Sequence, residues 1–400
     1  MKSCPRRLVS LTTIVAVIGL AAAACSSGGS SGGSSGGSSG SSDNSTYTIG
    51  VTAGLTGTSV FLFKAAVTGL EVAVDAQNAK GGVNGHKIKL DVQNDDQDAS
   101  TASQQYQTFV SNGDIAIVSP TLSTIFGPLF ERANQDQIPI FGISLVQSTP
   151  IQPYVYGIDV PGDQSVSVEA PFLKELLSST ASPRVAMSSS TSAAGVEEAK
   201  VFPDAAKTNG LNLVTTQSYA TPLIDYSAQA SHIAGAQVKA IASAADSGQG
   251  PIMMKALAND NVNVPTVGYW AAGSLATFQQ INNPNWYAYY DFTDPSLTSV
   301  AGVAQMAKDA STAHLSLGTS AEVSGYYLLG QYIAAALAKC SGTCTRATLN
   351  TNLQNTTISP NGLAAAVGFT TSSHTFTKSV SFYHLVGGKL TAVGAPVPVK

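Results

Sequence analysis

Between residues 47 and 144, short apolar runs alternate with helix-length segments, and this order constrains the fold more than any other feature. YTIGV at 47–51 reads as a first strand and runs into the Gly-rich loop Ala53-Gly54-Leu55-Thr56-Gly57. Leu62, Ala66, Leu70, Ala73 and Val74 then recur at helical spacing and share one face. That helix stops at Lys80-Gly81-Gly82, and Asn84-Gly85 makes a tight turn. Ile88, Leu90 and Val92 alternate in a second strand. Asn94-Asp95-Asp96-Gln97-Asp98 leads into a helix carrying Ala102, Tyr106, Phe109 and Val110. A third strand at 115–118 enters Ser119-Pro120-Thr121-Leu122-Ser123-Thr124, and Ser123 or Thr124 suits the cap of the next helix. A strand at 138–141 then opens into Gly142-Ile143-Ser144. This alternation calls for an α/β fold with a doubly wound parallel sheet. In that architecture ligands bind at the carboxyl ends of the strands. Hydroxyls beside a helix start suit a small carboxylate.

The alternation restarts near residue 162. Helices are expected over 166–177, 193–208, 226–235 and 250–259, with strands at 184–187, 211–216, 238–242 and 264–268. Residues 287–290 fit a return crossover, and helices at 295–313 and 320–339 go back to the first lobe. The alternating SVSFYHL at 379–385 fits a third crossover. By this reading lobe 1 comprises 47–161 and 291–378, and lobe 2 comprises 162–290 and 379–400.

A chain of 400 residues with 44% hydrophobic content has material for more than one core. Charged residues are only 11% and the formal charge is −4, with no basic stripe, which argues against nucleic-acid binding. Lys2, Arg6 and Arg7 precede an apolar segment over 8–24, the pattern of an export signal rather than a spanning helix. Ala22-Ala23-Ala24-Cys25 resembles a lipobox, in which Cys25 is lipidated; the alternative is plain secretion. Loss of 1–24 takes the formal charge from −4 to −7. The Ser/Gly-rich run to residue 46 is a flexible tether. The expected location is the outer face of the cell membrane, held by the lipid. Cys340 and Cys344, spaced C-S-G-T-C in an exported chain, are expected to form a local disulfide.

IGVTAGLTG, then VDAQNAKGGVNGHKIKL, NDDQD and IVSPTLST stand in the order and spacing of one family. The chain resembles the substrate-binding lipoproteins of branched-chain amino acid ABC transporters, of the leucine/isoleucine/valine-binding type. The resemblance implies a type I periplasmic binding fold, in which two Rossmann-like lobes joined by three hinge crossovers close on a small ligand. It also implies delivery to ABC permease subunits, no cofactor and no enzymatic activity. A sensor reporting to a signalling partner is the alternative role.

The resemblance places a ligand-carboxylate donor at Ser123, beside Thr124, and a second carboxylate position at Ser144, with Val146 where the family often has threonine. Ala194 and Asp246 fall where the family offers tyrosines, and Trp270, next to Tyr269, falls at or beside its acidic residue. A buried ammonium without an anionic partner costs on the order of several kcal/mol. Either Asp246 supplies the charge, or the ligand has no ammonium and Tyr269 and Trp270 stack on an apolar or aromatic body. Core packing is the alternative role for that pair, and the expected role of Phe61 and Phe63. Asp95, Asp96 and Asp98 read as turn and cap residues rather than a metal site. The five histidines are scattered, and no nucleophile or phosphate-loop motif is present.

Overall fold

The computed structural model describes residues 46–399 except 58, 145–149, 221–222, 246–247 and 271–273. The signal segment, Cys25, the tether and Asp246 therefore lie outside the described residues.

The first sheet holds β1 (Tyr47–Ala53), β2 (Ile88–Asn94), β3 (Ala116–Ser119), β4 (Ile140–Ser144) and β5 (Val155–Asp159). Its order is β2-β1-β3-β4-β5, with every pair parallel. Four helices link the early strands: α1 (Val60–Ala79), α2 (Ala99–Ser111), α3 (Ser123–Phe126) and α4 (Phe130–Gln135). The single helix expected after Ser123 is broken. A 3-10 turn over Gly127–Leu129 separates α3 from α4, because Pro128 supplies no N–H to continue the ladder. β4 continues through Ser144, so Gly142-Ile143-Ser144 is strand rather than loop. β5 has no counterpart in the sequence reading; it is five residues long and its apolar pattern is interrupted by Gly157.

The second sheet takes the order β12-β11-β10-β9-β8-β6-β7. Its strands are β6 (Arg184–Ser190), β7 (Asn212–Tyr219), β8 (Ala240–Ala244), β9 (Thr266–Gly268), β10 (Trp286–Tyr290), β11 (Ser379–Val386) and β12 (Lys389–Pro398). Only β11 and β12 run antiparallel to their neighbours. They form a hairpin whose turn residues Gly387 (φ 56°) and Gly388 (φ 78°) both need positive φ. The flanking helices are α5 (Gly162–Leu176), α6 (Ala193–Thr208), α7 (Ser227–Gly235), α8 (Gly250–Asn259) and α9 (Leu275–Ile281). After β10 the chain returns to the first lobe for α10 (Ala301–Thr312), α11 (Glu322–Ala338) and α12 (Arg346–Leu353). Residues 295–300, expected as helix, form turns instead. Asp294 and Pro295 favour a turn there, with the Ser296 N–H bonded to the Asp294 carboxylate at 2.8 Å. The chain thus passes between the lobes three times: after β5, after β10 and before β11.

The first lobe is closed by α11, which lies along α1. Small residues permit the approach. A Cβ on Gly69 would stand 2.2 Å from the Val323 carbonyl oxygen, and one on Gly330 would stand 2.6 Å from the Ala73 methyl. The neighbour of Gly69 is backbone and cannot swing aside. Gly69→Ala is therefore expected to cost at least about 1–3 kcal/mol through forced separation of the helices. A urea titration checks this as a lowered midpoint with an unchanged slope. Beyond α11, Cys340 and Cys344 are joined by a disulfide (S–S 2.02 Å).

Candidate functional site

Loop-to-loop hydrogen bonds build the carboxyl edge of the first sheet. Asp95 N–H donates to the Ala53 carbonyl (2.9 Å), and Gly54 N–H to the Pro120 carbonyl (3.2 Å). Leu55 N–H donates to the Asn94 side chain (2.9 Å). The Asp95 carboxylate turns inward and accepts from Gln97 N–H at 2.8 Å. Burial pushes its pKa up, and the neighbouring Thr121 and Thr52 hydroxyls pull partly the other way. Asp98 caps α2 by accepting from Thr101 N–H (2.8 Å). The turn-and-cap reading of this acidic run fits those bonds.

At the end of β3 the Ser119 hydroxyl is fully buried without a hydrogen-bond partner. The helix that follows differs from expectation. Leu122 occupies the cap position and no side chain caps α3, because the helix starts one residue before Ser123 is free to cap it. Ser123 is half-buried and Thr124 is exposed, both in the first turn. Phe126 lies flat over Gly142, where a Cβ would stand 2.1 Å from its ring, so the glycine fixes how close α3 lies to β4.

In the second lobe, β6 ends in three buried serines. Ser192 caps α6, its hydroxyl accepting from Gly195 N–H at 3.2 Å. Ala194, in the first turn of α6, is buried. α3 of the first lobe lies against α6 of the second. β9 ends over the Trp286 ring, which a Cβ on Gly268 would meet at 2.5 Å. Tyr269 N–H then donates to the Ser243 carbonyl (3.0 Å). Tyr269 and Trp270 are 3% and 6% exposed, with ring centroids 4.9 Å apart. The Trp270 indole N–H is buried without a partner.

One continuous apolar cluster spans both lobes. It contains Leu62, Phe63 and Ile143 from the first and Ala194, Ala244, Tyr269, Trp270 and Tyr289 from the second, with Leu122 packed at its margin. Ser123 and Thr124 thus sit on the helix that lies against α6 of the second lobe, and Tyr269 and Trp270 join residues of the first. Ser144 is placed by its backbone, paired with Asp159. Asp246 lies outside the described residues. Phe63 is core, as expected; Phe61 is 39% exposed and is not, since the α1 face directed to the core carries Leu62 and Phe63 instead.

The sequence reading missed the acids beneath this edge. Asp159 ends β5 at the first crossover, Asp291 follows β10 at the second, and Glu322 opens α11; all three are buried. Val160 N–H donates to the Asp291 carboxylate at 2.9 Å. Burial first, and then the charges of Glu322 and Asp291, hold Asp159 well above the carboxylate range. Burial also raises Asp291 and Glu322, and the charge of Asp291 raises Glu322 further. The third crossover joins here too, through Thr377 N–H to the Ile158 carbonyl (3.2 Å). Glu169 of α5 and Glu198 of α6 are a second buried pair, and burial, with the charge of Glu198 beside it, holds Glu169 well above the carboxylate range. Tyr289 lies between the two groups, its hydroxyl unpartnered. The only sequence signal was an Asp directly after each of two apolar runs, YGID and YAYYD. Among the described residues no group of His, Cys, Asp and Glu is arranged to hold a metal ion, and no helix is long and apolar enough to cross a membrane.

A sequence model described as a periplasmic binding protein matches residues 46–389. No curated protein sequence matches the chain. Among solved structures, the fold is similar to the branched-chain amino acid transporter substrate-binding protein LivJ of Streptococcus pneumoniae, in complex with isoleucine. That match has 18% identity and a TM-score of 0.74, and covers 88% of this chain and 99% of that one. A fatty acid ABC transporter substrate-binding protein from Thermomonospora curvata aligns with 18% identity and a TM-score of 0.76, covering 89% and 93%. An ABC transporter solute-binding protein from R. palustris, in complex with benzoate, aligns with 17% identity and a TM-score of 0.72, covering 89% and 97%. At these identities the likeness is one of fold.

Proposed function

Because the chain belongs to the periplasmic binding protein family, whose members bind substrates rather than transform them, we propose that it is the extracytoplasmic receptor of an ABC importer for a small carboxylate with an apolar body. The observation that carries the ligand class is the burial of Tyr269 and Trp270 in an apolar cluster shared by both lobes. An ammonium placed there would lose its water and would need an anionic partner in return. A flat or branched apolar body gains from burial against Leu62, Phe63 and Trp270. The ligand carboxylate falls to Ser123, Thr124 and the backbone at Ser144, with the unpartnered Ser119 hydroxyl behind them. Ala194 closes over the ligand with α6, and the Trp270 indole N–H gives one directed hydrogen bond.

The mechanism is hinge closure. The ligand docks on the first lobe, the second swings over it, and a permease recognises the closed form. Cys25 carries the lipid that keeps the receptor at the membrane, and the Ser/Gly run lets it sweep the space above. An amino-acid ligand is the second reading. It is favoured by the isoleucine bound to the Streptococcus pneumoniae protein, and it requires Asp246 to receive the ammonium.

A thermal-melt panel of benzoate, phenylacetate, isovalerate, leucine, isoleucine and valine tests the proposal. A ligand at about a hundred times its dissociation constant adds about 2.7 kcal/mol. For a body of this size that is a shift of at least about 2 °C. The account expects shifts from the simple acids and none from the amino acids. Shifts from the amino acids alone would transfer the role to Asp246.

A further inference from the structure

A second cavity, of about 330 Å3, lies between the lobes on a different face of the hinge strands. Strand alternation separates it from the cluster described above. Tyr289 points to the side of Tyr269 and Trp270, and Tyr290 to the side of Phe278 and Tyr383. None of Ser123, Thr124, Ala194, Tyr269 or Trp270 lines it. Its second-lobe wall is a polar strand face. Ser379, Ser381 and Tyr383 are alternate residues of β11, and Ser381 stands directly opposite Tyr290. Its first-lobe wall includes Val300 and Ala364.

Two polar groups in this wall are unsatisfied. Tyr290 is 2% exposed and its hydroxyl has no hydrogen-bond partner; the buried Ser379 hydroxyl has none either. Such orphans are rare in folded proteins and point to an absent partner. The charge around the cavity has one sign. No Lys, Arg or His lines it, and Asp291 contributes to the wall. Asp294 does not line the cavity; it is fully buried behind the tyrosines, bears electrostatically on both Tyr290 and Tyr383, and has one unpartnered carboxylate oxygen. Tyrosine rings beside a buried carboxylate attract an organic cation and repel an anion.

We propose that this cavity is a second ligand site, for a small amino alcohol whose hydroxyl bonds to Tyr290 and Ser379 and whose ammonium lies against the tyrosine rings and Asp291, with the charge of Asp294 behind the rings. Its walls come from both lobes, so the occupant's contacts differ between the open and closed states. Binding here therefore biases the hinge, and by linkage changes affinity in the main cleft. The inference does not depend on which ligand the main cleft takes.

Titration of the full-length protein with choline tests it, read by thermal midpoint and by calorimetry. The uncharged isostere 3,3-dimethylbutan-1-ol is the control. The expected result is a saturable upward shift with choline and none with the isostere. Ser381→Phe fills the cavity from β11 and removes the shift. Asp294→Asn keeps the volume and weakens choline at least tenfold, so the test survives if the bulkier variant fails to fold. An absent choline shift, equal shifts from the isostere, or wild-type choline affinity in Asp294→Asn would each overturn the proposal.

Discussion

The thermal midpoint of the protein is expected to fall as the pH rises from about 5 to about 8. Asp159, Asp291, Glu322 and Glu169 are buried, and burial raises all four in the folded state. Asp291 is pushed up to about 7 and Glu322 to about 8, from ordinary values near 3.8 and 4.5. Between the unfolded and folded values the native state holds more protons than the unfolded chain, so stability decreases as pH increases. The contribution is complete below about pH 4 and is lost as the pH passes through the folded values. Each retained proton is worth about 1.4 kcal/mol per pH unit. Asp291 and Glu322 alone therefore account for up to about 5 kcal/mol between pH 5 and pH 7, or roughly 7 °C in midpoint. His374, whose pKa burial lowers, opposes the trend with a single proton below its ordinary value. Glu322→Gln keeps the shape and removes one titrating group, so it should flatten the profile measured by differential scanning calorimetry. A midpoint that rises between pH 5 and pH 8 would show that these acids are ionised in the native state.

The second large effect is at Trp270. Trp270→Ala deletes a buried indole from the cluster that joins the lobes, at a cost of about 3–5 kcal/mol in stability. It also removes the surface against which the apolar body of the ligand packs, so affinity should drop by at least a hundredfold. Trp270→Glu separates the two consequences. It puts a carboxylate at the end of β9, repels an anionic ligand without an ammonium, and supplies an anionic partner to one that has it. Simple carboxylates should lose all measurable binding, while the matching amino acids gain. Calorimetric titration of both variants checks this. Unchanged affinity in either would place Trp270 in the core alone.

The strand–helix order was legible because each amphipathic run keeps one period over its whole length; α8 matches its expected range of 250–259 residue for residue. Pro128 was visible, but the apolar spacing of Ile125, Phe126 and Leu129 continues across it and hid the break between α3 and α4. β5 and β12 escaped because one is five residues long and the other alternates weakly beside Gly394. Of the proposed site, Ser123, Tyr269 and Trp270 came from the family resemblance, which puts them just after strands. The hinge acids were not. An Asp after an apolar run reads as a turn residue, and only the meeting of crossovers far apart in sequence brings Asp159, Asp291 and Glu322 together. Periodicity reports which face of an element is buried and carries no information on which buried groups from distant segments will touch.

Whether the ligand carries an ammonium is decided by a calorimetric comparison of pairs that differ only in that group: isovalerate with valine, and 3-phenylpropanoate with phenylalanine. Burying an unpaired ammonium against Trp270 costs several kcal/mol, and about 2.7 kcal/mol already separates dissociation constants by a hundredfold. The account predicts that the acid of at least one pair binds and that its amino acid binds at least a hundredfold more weakly. An amino acid that binds more tightly than its des-amino partner would contradict it.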